Sequence, residues 1–186
     1  MITISNSQVK SRERVSAYGE VFTSDNEVNN MCDLVDDECR KPESTFLEPA
    51  CGDGNFLAEI LRRKLHALKD DPDYERKSLI ALASLYGIDI LQDNADSCRR
   101  RLYDIWNDRP NLNGSLRTRA REILDANIVC ADTLDMKQEI IFIEWTFPEG
   151  STIPQKKEFS FRKMIQKGEQ KLSEKESGQF GFNFDE

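Results

Sequence analysis

A chain of 186 residues, 38 % hydrophobic and 32 % charged, is long enough for one packed domain with a tail. No apolar run in it approaches the roughly 18–20 residues of a membrane span, and its N-terminus, MITISNSQVKSRER, has no apolar signal-peptide core, so a cytoplasmic location and no membrane partner are expected. Its 26 basic and 34 acidic side chains leave a formal net charge of −8, which argues against holding nucleic acid unaided through a broad basic face.

In chain order, residues 1–17 are polar and are expected to be flexible. Ser24-Asp25 is good N-cap chemistry for a helix over 25–40, where Val28, Met31 or Cys32, and Val35 recur at helical spacing. Thr45-Phe46-Leu47 reads as a short buried strand, stopped by Pro49. Gly52-Asp53-Gly54 is a turn, and Phe56, Leu57, Ile60, Leu61, Leu65 and Leu68 form one face of an amphipathic helix. A helix over 75–84 leads into the strand Leu85-Tyr86-Gly87-Ile88-Asp89-Ile90. Asp93 is placed to cap the next helix, with Ala95, Cys98, Leu102, Ile105 and Trp106 on its apolar face. A helix over 116–125, a strand over 127–130 and a fourth strand over 140–143 follow. Strands alternating with helices predict an α/β fold with a mostly parallel sheet and flanking helices. From 154 to 186 the chain turns charged and repetitive, which predicts a disordered tail with room for a short helix at 158–166. Phe180, Phe182 and Phe184 alternate there, as a docking strand or as an unstructured end.

The five cysteines are widely spaced without a C-x2-C pair, and His66 is the only histidine. That set supplies no recognisable zinc site and weakens any Ser–His or Cys–His nucleophile scheme, so no metal is expected. The basic runs Arg62-Arg63-Lys64, Arg99-Arg100-Arg101 and Arg117/Arg119/Arg121 read as solvated helix faces. The first two also allow a shallow phosphate track.

The chemistry is concentrated in Glu48-Pro49-Ala50-Cys51-Gly52-Asp53-Gly54-Asn55-Phe56-Leu57, where the first strand turns into a helix. In doubly wound folds that turn lies at the carboxyl edge of the sheet, where ligands bind. The string is neither G-x-G-x-x-G nor a P-loop, and a carboxylate in the turn repels a pyrophosphate. It suits a cationic or hydroxylated ligand, with Glu48 and Asp53 facing the ammonium or sulfonium of S-adenosylmethionine. Asp89, at the tip of the second strand, is placed to clamp two ribose hydroxyls. After the third strand, Asp132 is placed to accept from an adenine amino group, with Ile90 and Leu134 against the ring.

The chain resembles the adenine-specific DNA methyltransferases of restriction–modification systems, in the group whose cofactor site precedes the catalytic site. Gly19-Glu20-Val21-Phe22-Thr23-Ser24 is similar to that family's G-x-x-F-T-P segment. EPACGDGNFL, YGIDI and NIVCADTL resemble its cofactor loop and next two cofactor elements, in the family's order, over roughly residues 18–135. The resemblance implies a Rossmann-like class I methyltransferase domain over 18–153 and S-adenosylmethionine as cofactor. It assigns the cofactor to Phe22, Thr23, Glu48, Ala50, Gly52, Asp53, Gly54, Phe56, Asp89, Ile90, Asp132 and Leu134. Thr23 and Glu48 would hold the methionine end, and the loop of Gly52, Asp53 and Gly54 would wrap it.

Two departures stand out. Ser24 replaces a proline, and the catalytic (D/N)-P-P-(Y/F) tetrapeptide is absent. Its job is to accept from the target amino group and to stack on the flipped base. After the fourth strand the chain offers only Glu144 as acceptor and Trp145 or Phe147 for stacking, which also read as a buried aromatic pair. With four strands where the family has about seven, the domain looks truncated. The leading expectation is therefore the cofactor-binding component of a split DNA methyltransferase. A second methyltransferase or restriction–modification subunit, or a homo-oligomer, would bring the catalytic residues and most DNA contacts. The alternatives are a catalytically inactive binding or regulatory module and a self-contained methyltransferase for small molecules or proteins.

Overall fold

A computed structural model describes residues 10–163 apart from 111 and 136. Its centre is a parallel sheet of β1 (Phe46–Glu48), β2 (Leu85–Asp89) and β3 (Ile128–Cys130), in that spatial order. Leu47 lies opposite Tyr86, and Ile88 opposite Val129. All five residues of β2 are buried, as a strand with a neighbour on each side requires. The crossover from β1 to β2 carries α4 (Asn55–Ala67) and α5 (Tyr74–Ala83); that from β2 to β3 carries α6 (Gln92–Asn107) and α7 (Gly114–Asn127). The mixed α/β layout with a parallel sheet follows the sequence expectation.

The main core lies between these helices and the sheet. Leu57, Ala58, Ile60 and Leu61 of α4 are buried at helical spacing. Trp106 is fully buried, and its indole N–H donates to Ser78 Oγ at 3.1 Å. Lys64 is also fully buried. Its ammonium donates to the carbonyls of Lys41, Pro42 and Ser44 and to Ser84 Oγ, and so ties α4 to the loop that launches β1. Burial still pulls its pKa down, to about 8.

The fourth strand departs from expectation. β4 (Ile141–Thr146) does not join the parallel sheet but pairs antiparallel with β5 (Gln155–Ser160) in a separate hairpin. The hairpin covers the sheet face that carries Tyr86 and Ile88. Phe142 meets Tyr86 edge-on at 5.2 Å between ring centres, and Phe159 meets it at 5.6 Å. Tyr86 also donates its hydroxyl to Ile143 O at 3.0 Å. This corrects the expectation for 155–160, which form a strand and neither a disordered segment nor the start of a helix, whereas 161–163 are helical. Phe159 and Phe161 alternate with period two, and both pack on Phe142. Residues 164–186, with Phe180, Phe182 and Phe184, lie outside the described residues.

Two N-terminal expectations change as well. Within the segment expected to be flexible, Arg12–Tyr18 forms α1, capped by Ser11 Oγ, which accepts from Arg14 N. Gly19 ends the helix at φ 66°, the left-handed conformation glycine adopts readily. The helix expected over 25–40 divides into α2 (Asp25–Asp33) and α3 (Asp36–Cys39). Its start is a capping box: Ser24 Oγ accepts from Glu27 N, and Glu27 accepts from Ser24 N. Among the described residues, no helix is long and apolar enough to cross a membrane.

Candidate functional site

A cleft of about 540 Å³ opens at the carboxyl ends of the three parallel strands. Eleven of the twelve cofactor residues expected from sequence line it, drawn from segments 22–23, 48–56, 89–90 and 132–134. Gly54 is the exception. It precedes α4 at φ 89°, and a Cβ there would lie 2.7 Å from Cys98 Sγ, so this glycine fits α4 against α6. Gly52 does face the cleft. At φ 53° it passes so close to Phe22 that a Cβ would sit 2.9 Å from the ring.

Asp89 organises the cleft floor. Its Oδ2 accepts from Gly52 N at 2.9 Å, and its Oδ1 accepts from Leu91 N at 2.8 Å and Asn94 Nδ2 at 3.1 Å. A carboxylate has about four acceptor sites, so three are occupied by the protein itself. The segment 19–24 folds over the cleft. It is anchored by Asn55 Nδ2, which donates to Thr23 O at 3.0 Å, and by Glu20, which accepts from Asn94 Nδ2 at 2.7 Å. Arg14 completes this anchor with ion pairs to Glu20 at 2.7 Å and Asp93 at 2.7 Å. Asp93 therefore holds α1 and does not cap α6, which starts at Gln92 without a side-chain cap.

Five acids line the cleft: Glu20, Glu48, Asp53, Asp89 and Asp132. Glu20 is paired with Arg14. Asp53 meets Arg101 at 3.0 Å, so the expectation that its carboxylate faces a ligand cation is weakened by a cation already in place. Glu48 receives only a long contact from Ala50 N, at 3.4 Å, and burial pushes its carboxyl pKa up. Asp132 accepts from Leu134 N at 2.9 Å. At the mouth, Ile90 is 49 % and Leu134 86 % exposed, an apolar rim beside an acidic floor. Such a lining suits a ligand with an apolar flat part and donor or cationic groups.

The three catalytic candidates do not line the cleft. Trp145 donates from its indole N–H to Asn127 Oδ1 at 2.9 Å, Phe147 is buried in the main core, and Glu144 lies on the exposed side of β4, 3.8 Å from Lys157. Chain direction explains the displacement. Ile140 clusters with Ala131, just past the carboxyl end of β3, whereas Trp145 meets Asn127, just before its amino end. β4 thus runs opposite to β3 and delivers residues 144–147 to the far edge of the sheet. Phe147 is buried and Trp145 half-buried, both packed against the main core.

The basic runs are largely consumed internally. Arg63 pairs with Asp33, Asp36 and Glu59; Lys64 is buried; Arg99 donates to Ile128 O; Arg101 holds Asp53. Only Arg62 and Arg100 of the first two runs stay exposed, which leaves no continuous phosphate track. Sequence reasoning missed Glu20 and Asn94 as cleft residues. Glu20 lay inside the recognised GEVFTS string, whereas nothing local marks Asn94, whose role depends on Asp89 and Glu20 meeting around it. Comparison with family models, curated proteins and solved structures yields no match.

Proposed function

We propose that this chain is the S-adenosylmethionine-holding component of an adenine-specific DNA methyltransferase of the restriction–modification type, with a Rossmann-like class I methyltransferase fold. A second protein chain would bring the catalytic tetrapeptide and most of the DNA contacts. The observation that carries the reading is the convergence of four separated sequence strings on one cleft at the carboxyl edge of a parallel sheet. The donor set fits the cofactor. Its size falls in the range of small-molecule sites, roughly 300–1,000 Å³.

Each residue has a task in this reading. Glu48, half-buried and with no cation beside it among the described residues, would pair with the methionine ammonium, and Thr23 would lie alongside. Asp89 would offer its remaining acceptor site to ribose. Asp132 would accept from the adenine amino group, with Ile90 and Leu134 on the ring faces. Phe22, Ala50, Phe56 and the backbone of Gly52 would shape the wall. Asp53, held by Arg101, would keep the loop in place. When bound, the cofactor supplies an electrophilic methyl group; the chain's part is to hold it in one orientation, which accounts for much of the rate in such transfers.

Calorimetric titration with S-adenosylmethionine tests the reading. Saturable binding is expected, weakened by Asp132→Ala without loss of folding. A folded chain that gives no binding refutes it. A specific observation favours one alternative, a binding or regulatory module without catalysis: residues 144–147 point away from the cleft. The two are separated by adding a candidate catalytic subunit and measuring methyl transfer to DNA. Transfer supports the split enzyme, and cofactor binding without transfer under any pairing supports the module.

A further inference from the structure

We infer that the free edge of β1 and the groove beside it are a docking site for an extended, apolar segment of another protein, flanked by lysine or arginine. The two edges of the parallel sheet are treated differently. At β3, the guanidinium of Arg99 donates to Ile128 O at 2.9 Å, which blunts that edge against further pairing. At β1, Phe46 N donates to Ser84 O, toward β2. Because backbone groups alternate along a strand, Leu47 then turns its N–H and C=O to the open side, and no further strand pairs there among the described residues.

Beside this edge lies an apolar groove of about 430 Å³ between β1, α2 and α4, whose walls include Met31, Val35, Phe46, Leu47 and Ile60. Met31 is 54 % and Val35 47 % exposed on its rim, and Leu34 next to them is 84 % exposed. Exposed apolar side chains beside an unpaired strand are the two halves of a strand-addition site, with backbone bonds for affinity and alternate side-chain pockets for selectivity.

Charge selects the occupant. Residues 25–48, which supply most of the groove's lining, carry eight carboxylates against two cations; Asp33, Asp36 and Glu38 are held by Arg63, Arg40 and Lys41, and the other five have no ion pair among the described residues. A second copy of this chain would bring the same acidic wall against itself. A basic-flanked strand from another protein meets opposite charge, which also steers its approach. Glu48 and Phe56 line both the groove and the cofactor cleft, so the occupant would end beside the cleft. That consequence rests on the function proposed above; the docking site itself does not.

The test uses the full chain and two synthetic ten-residue peptides of alternating valine and threonine, one flanked by lysines and one by glutamates. Backbone amide exchange at Leu47 and fluorescence anisotropy are read at low and high salt, with S-adenosylmethionine titrated separately into the same samples. The lysine-flanked peptide is expected to bind at least tenfold tighter, to protect the Leu47 amide, and to lose affinity in Val35→Lys and Asp37→Lys chains that melt like the parent. Three results overturn the inference. Equal or absent binding of the two peptides is one. Leu47 already protected in the free chain but exposed after deletion of 164–186 assigns the groove to the chain's own terminus. Protection that rises with chain concentration, alongside a dimer in sedimentation, assigns it to a second copy. The cofactor titration fails or succeeds independently of all three.

Discussion

Single residues with unusual surroundings carry most of the testable content. Asp89 satisfies three N–H donors from two different segments, so its removal unlocks the loop at Gly52 as well as any ligand contact. Asp89→Ala is expected to cost about 1–3 kcal/mol of cofactor affinity, the scale of charge-assisted hydrogen bonds, in calorimetric titration. Unchanged affinity removes Asp89 from the site. Lys64 holds three carbonyls in the loop before β1, and Lys64→Met would remove the buried donor they share. A loss of about 2–4 kcal/mol is expected in urea unfolding, at the upper end for several unsatisfied groups. Glu48 has its carboxyl pKa raised by burial. As the pH falls through that raised value Glu48 becomes neutral and can no longer pair with a ligand ammonium. Cofactor affinity is therefore expected to drop on acidification at a higher pH than an ordinary carboxylate allows. Glu48→Gln should flatten that profile in titrations across the acidic range.

At the scale of elements, α1 is a strap held by charge. It has no buried residue of its own, yet Arg14 reaches Glu20 and Asp93. The pairing lowers the Asp93 carboxyl pKa to about 2, chiefly through the Arg14 hydrogen bond. A carboxylate with a depressed folded-state pKa stabilises above its ordinary value near 3.8 and loses that contribution as the pH falls toward 2. Arg14→Ala is expected to release α1 at neutral pH, detected as faster proteolysis before Gly19. Because Tyr18 to Thr23 line the cleft, ligand affinity should fall with it. Unaltered proteolysis would falsify the strap. Helical spacing made α4 and α6 legible in the sequence, and cap chemistry marked the start of α2 though not its end, because an amphipathic face and a capping box are local. α1 was not legible, since its seven residues, RERVSAY, have no apolar stripe and owe their place to a partner 79 residues away from Arg14.

For the whole molecule, the hairpin of β4 and β5 acts as a lid on the second face of a small sheet. Tyr86 is its main attachment, through two aromatic contacts and one hydrogen bond. Tyr86→Ala is expected to cost about 3–5 kcal/mol, the range for large aromatic-to-alanine changes in cores, and to expose Phe142 and Phe159. Chemical denaturation together with dye binding checks both effects. A loss within about 1 kcal/mol would mean the hairpin is held elsewhere.

The sequence by itself determined the α/β alternation, the position of the loop at 48–56, and the acids at 89 and 132, because each is written in short-range pattern: periodicity, glycines at a strand-to-helix turn, and an acid at a strand end. Only the tertiary structure decided the rest. The same apolar run at 140–143 fits a fourth strand of the parallel sheet or a hairpin arm, and packing of Phe142 on Phe159 and Phe161 goes with the hairpin. That choice reverses the direction of β4 and carries Glu144, Trp145 and Phe147 away from the cleft. Likewise, three arginine-rich runs look alike in sequence, and only burial among distant carboxylates and carbonyls shows that Arg63, Arg99 and Arg101 are spent inside the fold. The physical reason is common to both: strand partnership and charge neutralisation are long-range, set by which residues meet in space, and a local pattern leaves them open.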